Sequence, residues 1–461
     1  MLTLAIDLGT TNCKVGLFNE LEQIAIAKRA TPYLSDRHFG KVIDPVALQE
    51  MIFQMVDQIA EKKAAVRAIV LTGMAETGLL VDRKTGHPLT PLLPWLNDQA
   101  AEFPLSKDDV AARFFKTGLR GGLKTSYAKL LYLQTHFPER LERGIWLSVE
   151  DYLAYVLTGE KKAEKTLAQR TYLFELETEA FMSPWAGRLL PDIVESGSVT
   201  GRVSARYGSR WRWSRHTEVA VAGHDHVIAS LISRSERQIF NSIGTAETIL
   251  GQMPKRPLVE RDLASGLTFG VDVRPGQLYW MANIQASGAA TEWVRHLFGW
   301  DYPALLGCLR EVPETPSGLL FLPYLSGVGT PLFDASKRGS LQGIGLATTR
   351  EQVVQAVFEG IACHFALLCK QLPCADKILA VGGGAQNPYW MQLKADLTGS
   401  PVEIPDVDEP AILGAVKCYL KNDTPTEKIK QYYEPDEKRA RLYENCLEQV
   451  ERQIEEWRNE Q

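Results

Sequence analysis

The chain has 461 residues, 45% of them hydrophobic and 23% charged, without a biased tract; that length calls for about two domains and excludes both a single core and a disordered chain. Its 51 basic and 56 acidic residues leave a net charge of −5, which gives no reason to expect nucleic acid or an anionic membrane as partner. Seven scattered cysteines form no C-x-x-C pair, which suits reduced thiols in cytoplasm and argues against a disulfide framework.

The start lacks a basic region and Asp7 interrupts its apolar stretch, so no signal peptide is expected. Residues 2–8 and 13–18 read as two strands around Gly9-Thr10-Thr11-Asn12. Such a turn offers backbone N–H groups and two hydroxyls, a cradle for phosphate. Asp7 cannot bind phosphate, because like charges repel, but it can hold a Mg²⁺ that bridges to it. Lys14, on the returning strand, adds a point charge for a phosphate oxygen. A plain hairpin with a polar turn has the same pattern, so this turn alone decides nothing.

A helix is predicted over 44–62 and a buried strand over 66–71, leading into Thr72-Gly73-Met74-Ala75-Glu76-Thr77-Gly78. Strands ending in such glycine-bracketed polar loops are where α/β folds present ligand contacts. A hairpin is expected over 79–87, ending at Pro94-Trp95-Leu96-Asn97-Asp98. Helices are predicted over 126–136 and 149–157, and 166–171 reads as a polar segment.

Residues 217–222 form a predicted strand, and Gly223-His224-Asp225-His226 opens a helix. A carboxylate at a strand-to-helix junction belongs at an active-site edge or serves as a helix cap, and Asp225 fits both. His224 and His226 admit a metal site, but they alternate about the acid and point apart, with no further ligand cluster nearby. Residues 237–250 repeat the opening pattern more weakly, as strand, Gly244-Thr245 turn and strand. Two phosphate-type hairpins in one chain imply two similar domains facing one nucleotide, the architecture of actin-like ATPases, and point to ATP. The expected fold is therefore α/β, built of two similar actin-like units.

The predicted strand 378–381 ends in Gly382-Gly383-Gly384-Ala385-Gln386-Asn387, ahead of a helix at 390–397. Glycines there let a flat ligand such as adenine lie against backbone. The tail carries Tyr443, Leu447, Val450, Ile454 and Trp457 at helical spacing, the pattern of a docked amphipathic helix. No apolar run approaches the ~18 residues of a membrane span.

Together these residues resemble the FGGY family of carbohydrate kinases, from Leu2 to about Tyr419. The most specific stretch is Gly339-Ser340-Leu341-Gln342-Gly343-Ile344 followed by 352–359, which is similar to the family's C-terminal signature. Residues 322–327 and 383–396 match as well. The resemblance implies two actin-like (ribonuclease H-like) domains, over 1–233 and 234–461, with ATP and sugar in the cleft between them; it assigns Asp225 as catalytic base, Asp7 to the Mg²⁺ region, and Gly9-Thr10-Thr11 and Gly244-Thr245 to the phosphates. It places Gly383, Gly384 and Asn387 at adenine. Departures concern the acceptor. Lys124 stands first in the N-terminal signature and Tyr132 stands where a tryptophan is usual; Ala100 replaces a frequent arginine, and Val328-Gly329 replaces the usual Glu-Arg. The Met74–Gly78 loop differs from that of typical xylulokinases.

Glu76, Trp95 and Asp98 are the candidate acceptor contacts beside Asp225, since carboxylates accept bonds from hydroxyls and an indole covers a sugar's C–H face. With Ala100 in place of an arginine, a neutral sugar or polyol is favoured over an acid sugar. The expected partners are thus ATP, Mg²⁺ and a small sugar or polyol, with no nucleic acid and no membrane, and a homodimer left open. Two rival classes stand beside this reading, a non-metabolic ATPase of the Hsp70 type and a sugar-sensing pseudo-kinase. The first needs a peptide-binding domain for which the chain leaves no room, and the second has no support while Asp7 and Asp225 are both present.

Overall fold

A computed structural model describes residues 1–460 apart from 61–65, 98–105, 123, 212–215, 234–236, 372–375 and 426–427. Two mixed sheets organise the chain, and they share one plan. In the six-stranded sheet, Leu2–Leu8 pairs antiparallel with Asn12–Asn19, which continues to Glu22–Ala30. On its other side it pairs parallel with Val66–Gly73, then come Glu218–His224, also parallel, and an antiparallel edge, Val199–Arg202. In the seven-stranded sheet Gln238–Ile243 takes the place of Leu2–Leu8. It pairs antiparallel with Glu247–Pro254 and parallel with Lys377–Val381. Val402–Pro405 follows in parallel, and Ile429–Tyr433 forms the antiparallel edge. The repeated hairpin motif is therefore the sequence trace of a duplicated α/β unit. The expected boundary at 233/234 adjoins residues outside the described set.

The central strands are apolar almost throughout, because helices cover both faces of a parallel core; Leu4, Ala5, Ile6 and Leu8 are all buried. Two short connections tie the halves reciprocally. Asp225–Ala229 leaves the first sheet and buries Val227 and Ala229 against Phe240, Leu250 and Leu379 of the second. Pro410–Leu420 leaves the second sheet and buries Ile412, Ala415 and Val416 against Ala5, Phe18 and Val70 of the first. Arg350–Lys370 has the length and apolar character of a membrane span, yet most of it is buried within the protein. There it receives the tail helix Glu444–Asn459 through Leu447 and Val450. Buried apolar side chains on that tail face bear out the predicted amphipathic docking.

Candidate active site

The strand register sets the site. Asp7, Thr72 and Gly223 lie side by side on three parallel strands, and Leu8, Gly73 and His224 form the next row. The Gly9 turn, the Met74–Thr77 loop and Asp225 thus leave the same sheet edge, the carboxyl end where open α/β sheets bind ligands. Gly223 is gripped from both sides. Thr72 Oγ1 donates to its carbonyl at 2.7 Å, and the next amide, His224 N, donates to Thr166 Oγ1 at 2.9 Å. Its φ of +128° and the 2.3 Å between a built Cβ and Thr166 Oγ1 leave room only for glycine.

Asp225 Oδ1 accepts from His226 N at 2.7 Å, and its side chain is 25% exposed. The two histidine rings do not point apart as expected. They meet edge-on with centroids 5.6 Å apart, because the short helix turns His226 back towards the second half, where its Nε2 lies 3.5 Å from Thr248 Oγ1. Burial, then Arg170 and His226, hold the His224 imidazole well below its usual pKa, so it is neutral beside Asp225. Among the described residues no three His, Cys, Asp or Glu side chains group as metal ligands.

In the first turn, Gly9 O accepts from Thr31 Oγ1 at 2.7 Å, Thr10 O from Tyr33 OH at 3.0 Å and Thr11 O from Thr31 N at 3.0 Å. The segment that follows Glu22–Ala30 thus fixes the turn by donating to the turn's carbonyls. Asp7 is buried, and that burial pushes its carboxyl up to about 6 despite Lys14 beside it. Its Oδ2 lies 3.2 Å from Lys14 Nζ, while Oδ1 is buried without a hydrogen-bond partner. Lys14 does not stand free for phosphate, for its Nζ also lies 2.6 Å from Glu409 Oε2. Glu409 comes from the second half, at the start of the connecting helix Pro410–Leu420 as Asp225 is at the start of Asp225–Ala229 in the first. Sequence reading missed it; the duplication was the signal that could have found it.

Glu76 and Trp95 meet at this edge, and Asp98 lies outside the described residues. Trp95 Nε1 donates to Thr10 Oγ1 at 2.8 Å, and Lys124 Nζ sits 4.7 Å from its ring centroid. Arg170 Nε donates to Glu76 Oε1 at 2.7 Å; its Nη2 also pairs with Glu76, and its Nη1 is buried without a partner. Beneath them Lys129 is buried, which pulls its ammonium down to about 7, and it donates to Lys124 O at 2.8 Å. Arg170 and Lys124 were not among the expected contacts. In the sequence Lys124 shows only as a departure from the family signature, and Arg170 lies in a polar stretch without a motif.

The second turn is held by a helix start, since Gly288 N and Ala289 N donate to Gly244 O and Thr245 O at 3.2 and 2.9 Å. Glu247 is fully buried, pairs with Lys394 and accepts from Asn241 Nδ2 at 2.9 Å and Ser287 Oγ at 2.8 Å. At the glycine loop, Asn387 caps Pro388–Thr398 through its side-chain oxygen, leaving its Nδ2 buried without a partner. A cavity of about 350 Å³ opens beside Gly382 and Gly383 and reaches Asp408, Glu409 and Lys28.

The N-terminal domain of the FGGY family of carbohydrate kinases matches residues 2–232, and its C-terminal domain matches residues 239–420. The chain belongs to the FGGY family of carbohydrate kinases. Among relatives, it is 28% identical to a xylulose kinase of Lactococcus lactis, over 89% of this chain and 86% of that one. It is 28% identical to a glycerol kinase of Herminiimonas arsenicoxydans, over 95% and 96%. Among solved structures, the xyloylose kinase of Brucella ovis superposes with a TM-score of 0.89 at 22% identity, over the whole of both chains. Plasmodium falciparum glycerol kinase with ADP superposes with a TM-score of 0.85 at 19% identity, over 98% of each. The expected family, its actin-like α/β fold and its activity, an ATP-dependent kinase of the FGGY class, therefore stand. The relatives' names divide between a sugar and a polyol.

Proposed function

We propose that this FGGY protein transfers the γ-phosphoryl group of ATP to a hydroxyl of a small neutral sugar or polyol, a xylulose-like ketopentose or a tetritol or pentitol. The observation that carries the proposal is the single sheet edge on which Asp7, Glu76, Trp95 and Asp225 converge. Phosphoryl transfer needs an in-line hydroxyl, neutralised phosphate charge and an acceptor for the hydroxyl proton. Asp225 takes that proton, and late in a loose transition state it need not be a strong base. Glu76 accepts from acceptor hydroxyls, Trp95 covers the C–H face, and Asp98 remains a candidate neighbour. Gly9, Thr10 and Thr11 with Gly244 and Thr245 line the phosphates, while Gly383, Gly384 and Asn387 take adenine.

The partnerless Oδ1 of Asp7 suits a hard cation with oxygen ligands. Mg²⁺ held there would neutralise phosphate charge. Lys14 then serves chiefly to hold Asp7 and Glu409, and reaches phosphate only if the cleft closes. Asp225→Asn tests the reading. Turnover should fall by a factor on the order of 10² or more while ATP affinity stays within about twofold; undiminished sugar-kinase turnover would remove Asp225 from its role.

A further inference from the structure

Outside the cleft, the first half carries a second cavity of about 440 Å³, walled by Tyr127, Leu131 and Trp185 and edged by Arg113, Gln134 and Ser183. That volume is in the range of small-ligand pockets. Arg113 stands on Lys107–Thr117 and Tyr127 on Ser126–His136. The guanidinium lies 4.5 Å from the Tyr127 ring centroid and 5.4 Å from that of Tyr172, and it donates to Tyr127 OH at 3.3 Å.

Among the described residues Arg113 has no carboxylate partner. Asp109, one turn earlier on its helix, instead accepts from Ser106 Oγ at 2.6 Å. A guanidinium seated on aromatic faces with N–H edges free is a fork that matches carboxylate and phosphate. Tyr172, packed against Arg113, is fully buried, keeps its hydroxyl without a partner and holds φ at +67°. It does not line the cavity itself, but its ring backs the Arg113 guanidinium and holds it in place. The Tyr127 and Trp185 rings meet at a right angle with centroids 6.3 Å apart, a corner that covers the C–H face of a sugar-sized body, with Gln134 and Ser183 in place for hydroxyls.

We infer that this cavity is a second binding site, for a polyhydroxylated body carrying one phosphate or carboxylate, read by Arg113 and cornered by Tyr127 and Trp185. The site backs onto the acceptor pocket. Tyr127 N donates to Thr171 O at 3.0 Å, and Thr171 separates Tyr172 from Arg170, the partner of Glu76.

Calorimetric titration of the full chain with glycerol 3-phosphate, gluconate and inorganic phosphate tests this. In the wild type one of the two organic anions should bind with one equivalent more than in Arg113→Gln, or at least tenfold tighter, while kcat and both Michaelis constants are unchanged between the two proteins. Loss of glycerol 3-phosphate identifies a phosphoester as the ligand group, and loss of gluconate a carboxylate. Trp185→Phe should remove a fluorescence change that the same ligand produces in the wild type, which keeps the test open if the Arg113 variant folds poorly. Equal binding by Arg113→Gln and wild type would overturn the site. So would inorganic phosphate binding as tightly as the organic anions, which marks an adventitious ion only.

Discussion

Glu76 sits on a backbone with φ of +59° and is clamped by Arg170, so in the proposed role its carboxylate is oriented before any acceptor arrives. A site built to pair a hydroxyl rejects analogues that lack it, because its own polar group is then left unpaired. Glu76→Gln keeps the shape but swaps an acceptor for a donor and frees Arg170. The ranking among neutral acceptors should shift by roughly 10- to 100-fold, the worth of a hydrogen bond to a charged group, with the Michaelis constant for ATP unchanged. Steady-state rates across a panel of polyols and ketoses decide it, and an unchanged ranking with only lowered stability would make Glu76 structural. At this scale the sequence was a partial guide. Asp7, Glu76, Trp95 and Asp225 stood out because polar residues at strand ends are conspicuous. Glu409 and Arg170 did not, because ion pairs between distant segments leave no spacing to read.

Among the elements, long periodic helices and apolar strands were legible in advance, 126–136 and 390–397 among them. Lys165–Gln169 was not, since all five of its residues are buried although most are polar, which defeats a rule that buried faces are apolar. It is made possible by Glu164, which accepts from Thr166 N, Thr166 Oγ1 and Leu167 N at 3.0, 2.7 and 2.9 Å. The turn at Gly244 depends on another helix start. A Cβ on Gly288 would lie 2.2 Å from Gly244 O, so Gly288→Ala must displace the turn. Misplacement of a positioning element by about 1 Å can cost up to roughly 100-fold in rate. The Michaelis constant for ATP should rise and turnover fall, with acceptor ranking untouched; unchanged ATP kinetics would mean that the turn does not line phosphate.

For the whole molecule, the duplication explains why one weak repeat in the sequence carried so much. Each half contributes one turn, one glycine-bracketed loop and one acid at the start of a connecting helix, and the helices cross so that each half buries the other's connection. The same crowding loads the core with carboxyls. Asp151, which accepts from Glu164 N at 3.1 Å, is buried and thereby pushed up to about 8, against about 4 unfolded. With its folded pKa raised, its protonated form favours the fold below pH 4, and that advantage is lost as pH rises, levelling off above about 8. The wild type should therefore lose stability relative to Asp151→Asn between pH 4 and 8, by at most about 1.4 kcal/mol per pH unit. Chemical denaturation of both proteins at each pH measures this, and a constant difference would place an ionised Asp151 in the fold.

The most direct measurement is ADP release by the purified protein with Mg²⁺·ATP across ketopentoses, aldonates, tetritols, pentitols and glycerol, alongside Asp225→Asn. The expected result is ADP formed in step with one neutral sugar or polyol, little without an acceptor, and almost none in the variant. ADP release indifferent to every acceptor, or a preference for aldonates over all neutral compounds, would contradict it.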